Sequence, residues 1–475
     1  MAKEHKKLKK RYILLAAAVL IVGALLTAAL ALRFGNGTEG ALAVVPSETM
    51  YVLLVLLLML PVALVALFAV YLVRRRRMKS APPVTIRAVA GESAPAPARV
   101  QAQESASAPA AAEEGAKSRY EGLTALDAEK ESFLRSDYDE HINLKTLCER
   151  FRNYAAGKLR LYYSAADIRR FVAGLLVSHI MILQGMSGTG KTSLARAFGE
   201  FLDNPSLIVP VQPMWKERTD LVGYYNEFTR RFNETDLLKK MYEANYSKDI
   251  FITVLDEMNI ARVEYYFAEF LSLLELPDPE ERNLVVANGS WEDDPEQLDK
   301  GHLRLPANMW FIGTANNDDS TFAISDKVYD RAMIMDLDTK AESFYAESGG
   351  RVHLTAKRFA ELGEAAQREY EITRRNLGRL QKLDEYMKEN FRITFGNRIM
   401  KQIRTYVPVY IACGGEELEA LDDILAKKVM RKLGMQNPVY IRNQADKFCR
   451  YMDELFGEDG LKECKAVVQR LKLNA

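Results

Sequence analysis

Cysteine is scarce in this chain. The four present, Cys148, Cys413, Cys449 and Cys464, form no C-x-x-C pair and have no histidine at metal-ligand spacing. That argues against a disulfide scaffold or a zinc site and fits a reducing compartment. An excess of either charge is also missing, since the formal net charge is +1 over 475 residues. The balance hides an asymmetry. Residues 1–80 carry twelve Lys/Arg against three Glu, a net of +9, so the remaining residues carry −8. A mildly acidic bulk counts against a general polyanion-binding surface, although a local basic groove stays open. No internal repeat of fixed period is present, which leaves no sign of a solenoid. Apolar residues are not lacking: at 48% they suffice for a sizeable core, and the length allows two or three domains.

Some of that apolar content is concentrated in two runs. Residues 12–32 are uncharged and long enough to cross a bilayer as a helix, and residues 50–73 form a second run interrupted only by Pro61. Lysines and Arg11 precede the first run, Arg74-Arg-Arg-Arg-Met-Lys79 follows the second, and only Arg33 lies between. The positive-inside rule then predicts a membrane hairpin over residues 1–79, with both termini in the cytoplasm of a bacterial-type cell. A cleaved signal peptide is the competing reading of the first run, given its basic start and the small residues near Ala29 and Ala31. From residue 80 to 118 Ala, Pro, Ser and Glu dominate, too apolar-poor to offset ordering entropy, so this stretch reads as a disordered tether of about 35 Å reach.

The soluble part is organised around Gly185-Met-Ser-Gly-Thr-Gly-Lys-Thr192. An apolar run, His179-Ile-Met-Ile-Leu-Gln184, precedes it and a helical pattern begins at Ser193, the strand-loop-helix context in which G-x-x-x-x-G-K-[ST] means phosphate binding. Gly185, Gly188 and Gly190 permit backbone angles a Cβ would forbid, so the N–H groups of the loop, including those of Ser187, Thr189 and Ser193, can turn toward a phosphate. Lys191 is expected on the β- and γ-phosphates of ATP, and the Thr192 hydroxyl on Mg²⁺. A second apolar run, Ile250-Phe-Ile-Thr-Val-Leu255, ends in Asp256-Glu257, at the sheet edge where the loop opens. Asp256 is expected in the Mg²⁺ shell and Glu257 as the base for an attacking water; the plainer reading is an acidic pair heading a helix over 263–275. A further strand ends at Asn316, where an amide could contact the γ-phosphate or the water. Arg331 follows a short helix near 325–330. No Asn-Lys-x-Asp guanine motif occurs, which leans toward ATP over GTP.

Strand-loop, strand-Asp-Glu, strand-Asn and helix-Arg in this order resemble the AAA+ ATPases. Gln212-Pro-Met-Trp-Lys-Glu-Arg-Thr-Asp-Leu-Val-Gly-Tyr-Tyr-Asn226, Leu255-Asp-Glu-Met-Asn259 and Ile312-Gly-Thr-Ala-Asn316 are similar to the MoxR/McrB branch, over roughly the last two thirds of the chain. The resemblance implies an α/β P-loop core over 164–340 and a helical lid over 341–475; before it, apolar residues three and four apart predict a helical prefix over 119–163. It implies Asn316 as sensor 1, Arg331 as an arginine finger entering a neighbouring subunit of a ring, hexameric by family resemblance, and Arg398 as a sensor 2 residue on the phosphates. Here Asn259 is followed by Ile260 and Ala261 before Arg262, a departure from the branch's Asp-Glu-Ile-Asn-Arg run. The insert at 215–232, with Trp215, Tyr224 and Tyr225, is read equally as a pore loop or as subunit packing. Two functions follow: a membrane-tethered ATPase that remodels a protein partner, favoured by the acidic soluble part, or a nucleic-acid translocase of McrB type, with GTP use open.

Overall fold

The computed structural model describes residues 118–474 except 317–320, 339–340 and 348. Both apolar runs, and the tether apart from its last residue, lie outside the described residues. Among the described residues no helix is long and apolar enough to cross a membrane.

A five-stranded parallel sheet forms the centre. Its strands are β1 (Ile180–Gly185), β2 (Leu207–Pro210), β3 (Phe251–Asp256), β4 (Met309–Asn316) and β5 (Met333–Asp336), in the spatial order β5-β1-β4-β3-β2. β1, β3 and β4 are buried almost throughout, and their side chains alternate between two apolar clusters. Met181, Leu183, Ile252, Val254, Trp310 and Ile312 enter one; Ile180, Ile182, Phe251, Leu255, Met309 and Phe311 enter the other. A strand with a core on each face needs an unbroken apolar run, which is why these segments carry one.

The first cluster is covered by α2 (Leu144–Leu159), α3 (Ala165–Val177) and α4 (Lys191–Phe201). α1 (Glu121–Glu129) and α5 (Asp236–Ala244) lie on the second, with α6 (Val263–Tyr266) and α7 (Ala268–Leu273). α3 starts in a capping box, Ser164 Oγ accepting from Asp167 N at 3.0 Å while Asp167 Oδ2 accepts from Ser164 N at 3.3 Å, as the Ser-Ala-Ala-Asp run predicts. Two expected helices are shorter than their patterns. The 263–275 helix breaks at Phe267, whose ring stacks flat on Phe270 with centroids 4.9 Å apart. The prefix leaves helix after Phe133, because its polar groups bond elsewhere: Tyr138 Oη donates to Asp249 at 3.0 Å and Asp139 N to His353 O at 2.7 Å.

After β4 come the one-turn helix α8 (Asp326–Tyr329) and β5, followed by α9 (Ala356–Glu369), α10 (Arg374–Phe391), α11 (Gly396–Ala412), α12 (Glu417–Lys428), α13 (Pro438–Phe456) and α14 (Lys462–Leu473). These helices share the first apolar cluster with α3 and β5. Ion pairs join them to α3 and to the sheet: Arg170 of α3 contacts Asp423 at 3.2 Å and also Glu463, and Lys427 contacts Asp336 of β5 at 2.5 Å. The insert at 215–232 forms a helical turn and an antiparallel hairpin, Gly223–Asn226 with Arg231–Glu234. Trp215 packs on Tyr266 and Tyr225 on Trp291, leaving Tyr224 and Phe228 as the exposed aromatics of that hairpin. Residues 283–304 make a small three-stranded sheet, pinned by the buried Arg119–Asp294 pair at 2.7 Å.

Candidate functional site

The C-terminal ends of β1, β3 and β4 bring the sequence-predicted residues together. β1 passes into the glycine loop, where Met186, Ser187 and Gly188 are exposed. Gly185 and Gly190 hold φ of 140° and 96°. A Cβ at Gly185 would lie 2.5 Å from the Leu337 carbonyl oxygen, so the backbone just past β5 enforces glycine there. Thr189 Oγ1 donates to Met186 O at 3.0 Å, and Tyr163 Oη donates to Gly190 O at 3.0 Å, bracing the loop from both sides. α4 starts at Lys191, two residues earlier than expected, and Ser193 lies half-buried in its first turn. Lys191 is buried, and its Nζ donates to Gly185 O at 3.0 Å and Met186 O at 2.8 Å, so the ammonium lies inside the loop.

Thr192 Oγ1 donates to Asp256 Oδ1 at 2.7 Å, and Thr314 Oγ1 meets the same oxygen at 2.8 Å. An all-oxygen set of a hydroxyl and a carboxylate beside a phosphate-cradling loop suits a small hard cation such as Mg²⁺. Glu257 follows at φ 53°, a left-handed conformation that costs a non-glycine residue roughly 1 kcal/mol. The Thr314 hydroxyl accepts the Glu257 N–H at 2.9 Å and so holds that turn. Asn316 Nδ2 donates to Glu257 Oε1 at 2.5 Å, while Asn316 Oδ1 is buried and unpaired among the described residues.

The arginines lie elsewhere. Ser178 Oγ donates to Arg331 O at 3.0 Å, and Met333 pairs with Met181 at the beginning of β1. Arg331 therefore sits at the N-terminal rim of the sheet, roughly 20 Å of strand away from the glycine loop. Its Nε contacts Glu275 at 2.8 Å, and Arg398, expected on the phosphates, contacts the other oxygen of Glu275 at 2.6 Å. α11 carries Arg398 to that rim because Gln402, one turn on, donates to Asp330 O at 3.2 Å. At the same rim His179 stacks on Trp310 at 4.8 Å, its Nε2 lies 3.1 Å from Ala307 O, and burial with the nearby Arg282 charge pushes its pKa down to about 4.

Sequence reasoning missed Thr314, Asn259 and Tyr163. Thr314 was findable, two residues before Asn316 and thus on the same strand face. Asn259 Nδ2 donates to Asn316 O and Thr321 Oγ1, each at 3.0 Å, holding the end of β4; nothing local signals that.

A parallel sheet in this order, with a glycine loop after β1 and an acid pair after β3, defines a nucleotide-binding P-loop domain of ATPase type. Residues 180–332 match the family model described as an AAA domain of the dynein-related subfamily. No curated protein matches the chain. Among solved structures it is similar to a candidate ATPase from Cytophaga hutchinsonii, with 13% identity, 65% of this chain and 87% of that one covered, and a TM-score of 0.40. It is also similar to a full-length MCM homolog from Methanopyrus kandleri, with 12% identity, 61% of each chain covered and a TM-score of 0.34.

Proposed function

We infer that this protein hydrolyses ATP in a ring of like subunits and uses the cycle to remodel a protein partner while tethered at the cytoplasmic face of a membrane. The observation that carries the reading is the separation of two half-sites. Thr192, Asp256, Glu257 and Asn316 are linked at one end of the sheet, whereas Arg331 is held at the other. An arginine so far from its own glycine loop suits a neighbour's nucleotide. The apolar runs at 12–32 and 50–73 support the tether, and the −8 balance of the rest favours a protein over a nucleic acid as partner.

Bound Mg²⁺·ATP would supply the transferable phosphoryl group and the metal's charge. The loop amides from Gly185 to Ser193 and Lys191 would hold the phosphates, and Thr192 with Asp256 the cation. Asn316 occupies Oε1 of Glu257, which leaves Oε2 to accept a proton from the attacking water. Arg331 from the next subunit would offset charge on the phosphoryl oxygens, an effect of roughly 10³ to 10⁵ in rate.

Three measurements test this. Glu257→Gln should retain nucleotide and lose about 10² to 10⁴ in turnover; unchanged turnover would remove the assigned base. Hydrolysis per subunit should collapse on dilution below the assembly concentration, and a constant value would exclude the shared site. Stimulation by DNA, strongest at low salt, would redirect the partner assignment to nucleic acid.

A further inference from the structure

The segment that carries Arg331 is held from outside in an unusual way. α8 is a single turn, so the carbonyls that follow it have no helical partners of their own. Lys428, the last residue of α12, reaches them: its Nζ donates to Tyr329 O at 2.7 Å, to Ala332 O, and more distantly to Asp330 O at 3.5 Å. These acceptors flank Arg331 on both sides. The remaining carbonyl, that of Arg331, takes Ser178 Oγ of α3, and Gln402 of α11 adds a second donor to Asp330 O. Lys428 is 1% exposed, and among the described residues no carboxylate lies within salt-bridge distance of it. The acid whose charge acts on it, Asp330, is engaged by Lys432 at 2.9 Å, and Arg431 is drawn off by Asp326 at 2.6 Å. Burial therefore pushes the Lys428 pKa down to about 7, opposed by the Asp330 charge. A buried amine without an acid partner is costly where only packing is needed, since leucine would fill the space. What the amine adds is a fixed anchor for three backbone carbonyls on either side of one arginine.

We propose that Lys428 is a positioning residue for Arg331: the C-terminal helices of a subunit, through this amine, set the backbone from which that subunit offers its arginine to the neighbouring site. The inference rests on the shared-site reading above. Without the anchor the four residues from Tyr329 to Ala332 regain backbone freedom, and a displacement of about 1 Å at a reacting centre costs about 10² in rate. Because the arginine serves the next site, the defect should appear in the neighbour's turnover and not in the subunit's own nucleotide binding.

The test uses the full chain as Lys428→Met and as Lys428→Gln, which retains an amide donor, with Arg331→Ala alongside. Lys428→Met should hydrolyse ATP about 10- to 100-fold more slowly, bind nucleotide as the unaltered chain does, and regain turnover when mixed with Glu257→Gln subunits. Those subunits are inert themselves but carry an intact Arg331 segment. Lys428→Gln should fall between, and it carries the same test if the methionine variant does not fold. Failure to regain turnover on mixing, or loss of nucleotide affinity in step with rate, overturns the proposal in favour of a purely structural lysine. If Arg331→Ala hydrolyses normally, the shared-site reading falls and the proposal with it. If Arg331→Ala is slow while both Lys428 variants are not, the Lys428 proposal alone falls.

Discussion

Thr314 shows how much a single hydroxyl can organise. It joins Asp256 to the backbone of Glu257, so the carboxylate proposed to hold the cation and the proposed base share one support. Thr314→Val keeps the shape and removes both bonds. It should lower turnover about tenfold with nucleotide affinity unchanged, and cost about 1 kcal/mol of folding stability in denaturant titrations; an unchanged rate would mean that Glu257 holds its turn unaided. His179 yields a pH prediction. Its folded pKa of about 4 lies below the unfolded value of 6.5, so the unfolded chain takes up a proton first. The associated stability is fully present above pH 6.5 and is lost as pH falls toward 4, by about 2 kcal/mol once the ring's partial exposure is allowed for. Thermal midpoints should fall less steeply with acid in His179→Gln, and identical slopes would refute the assignment.

At the scale of elements, what the sequence made legible follows the range of the interactions involved. The glycine loop, Asp256-Glu257 and Asn316 could be read because each sits at the end of an apolar run, and the parallel sheet converts strand ends into one site. Arg398 could not be placed in that way. Its partner Glu275 is remote in sequence, and which of Arg392, Arg398 and Arg404 faces it depends on how α11 docks. The 134–143 stretch falls inside the prefix that apolar spacing predicts as helical, but its side chains satisfy distant groups. The Arg119–Asp294 pair is another long-range contact invisible to pattern. With side-chain exposures of 4% and 5%, and Arg119 also 4.5 Å over the Trp291 ring, it ties the first described residues to the 283–304 sheet. Asp294→Ala strands a buried guanidinium and should cost about 3 to 5 kcal/mol. Hydrogen exchange should rise first across 283–304, and uniform exchange would show that the pair does not secure that sheet.

For the whole molecule, the C-terminal helices are not a loosely hung lid in this structure. They share an apolar cluster with α3 and reach β5 through Lys427. A chain of polar contacts runs on from there. Lys427 contacts Asp336 at 2.5 Å, Asp336 accepts from Gln184 Nε2 at 2.6 Å, and Gln184 Oε1 accepts from Tyr329 Oη at 3.0 Å. Gln184 immediately precedes the glycine loop, and Tyr329 stands two residues before Arg331. On the shared-site reading, one amide thus borders both the pocket a subunit fills and the limb it extends to its neighbour. Turning that amide over would set its oxygen against the Asp336 carboxylate, two acceptors face to face, so Asp336 fixes which way Gln184 points and, through it, where the Tyr329 hydroxyl docks.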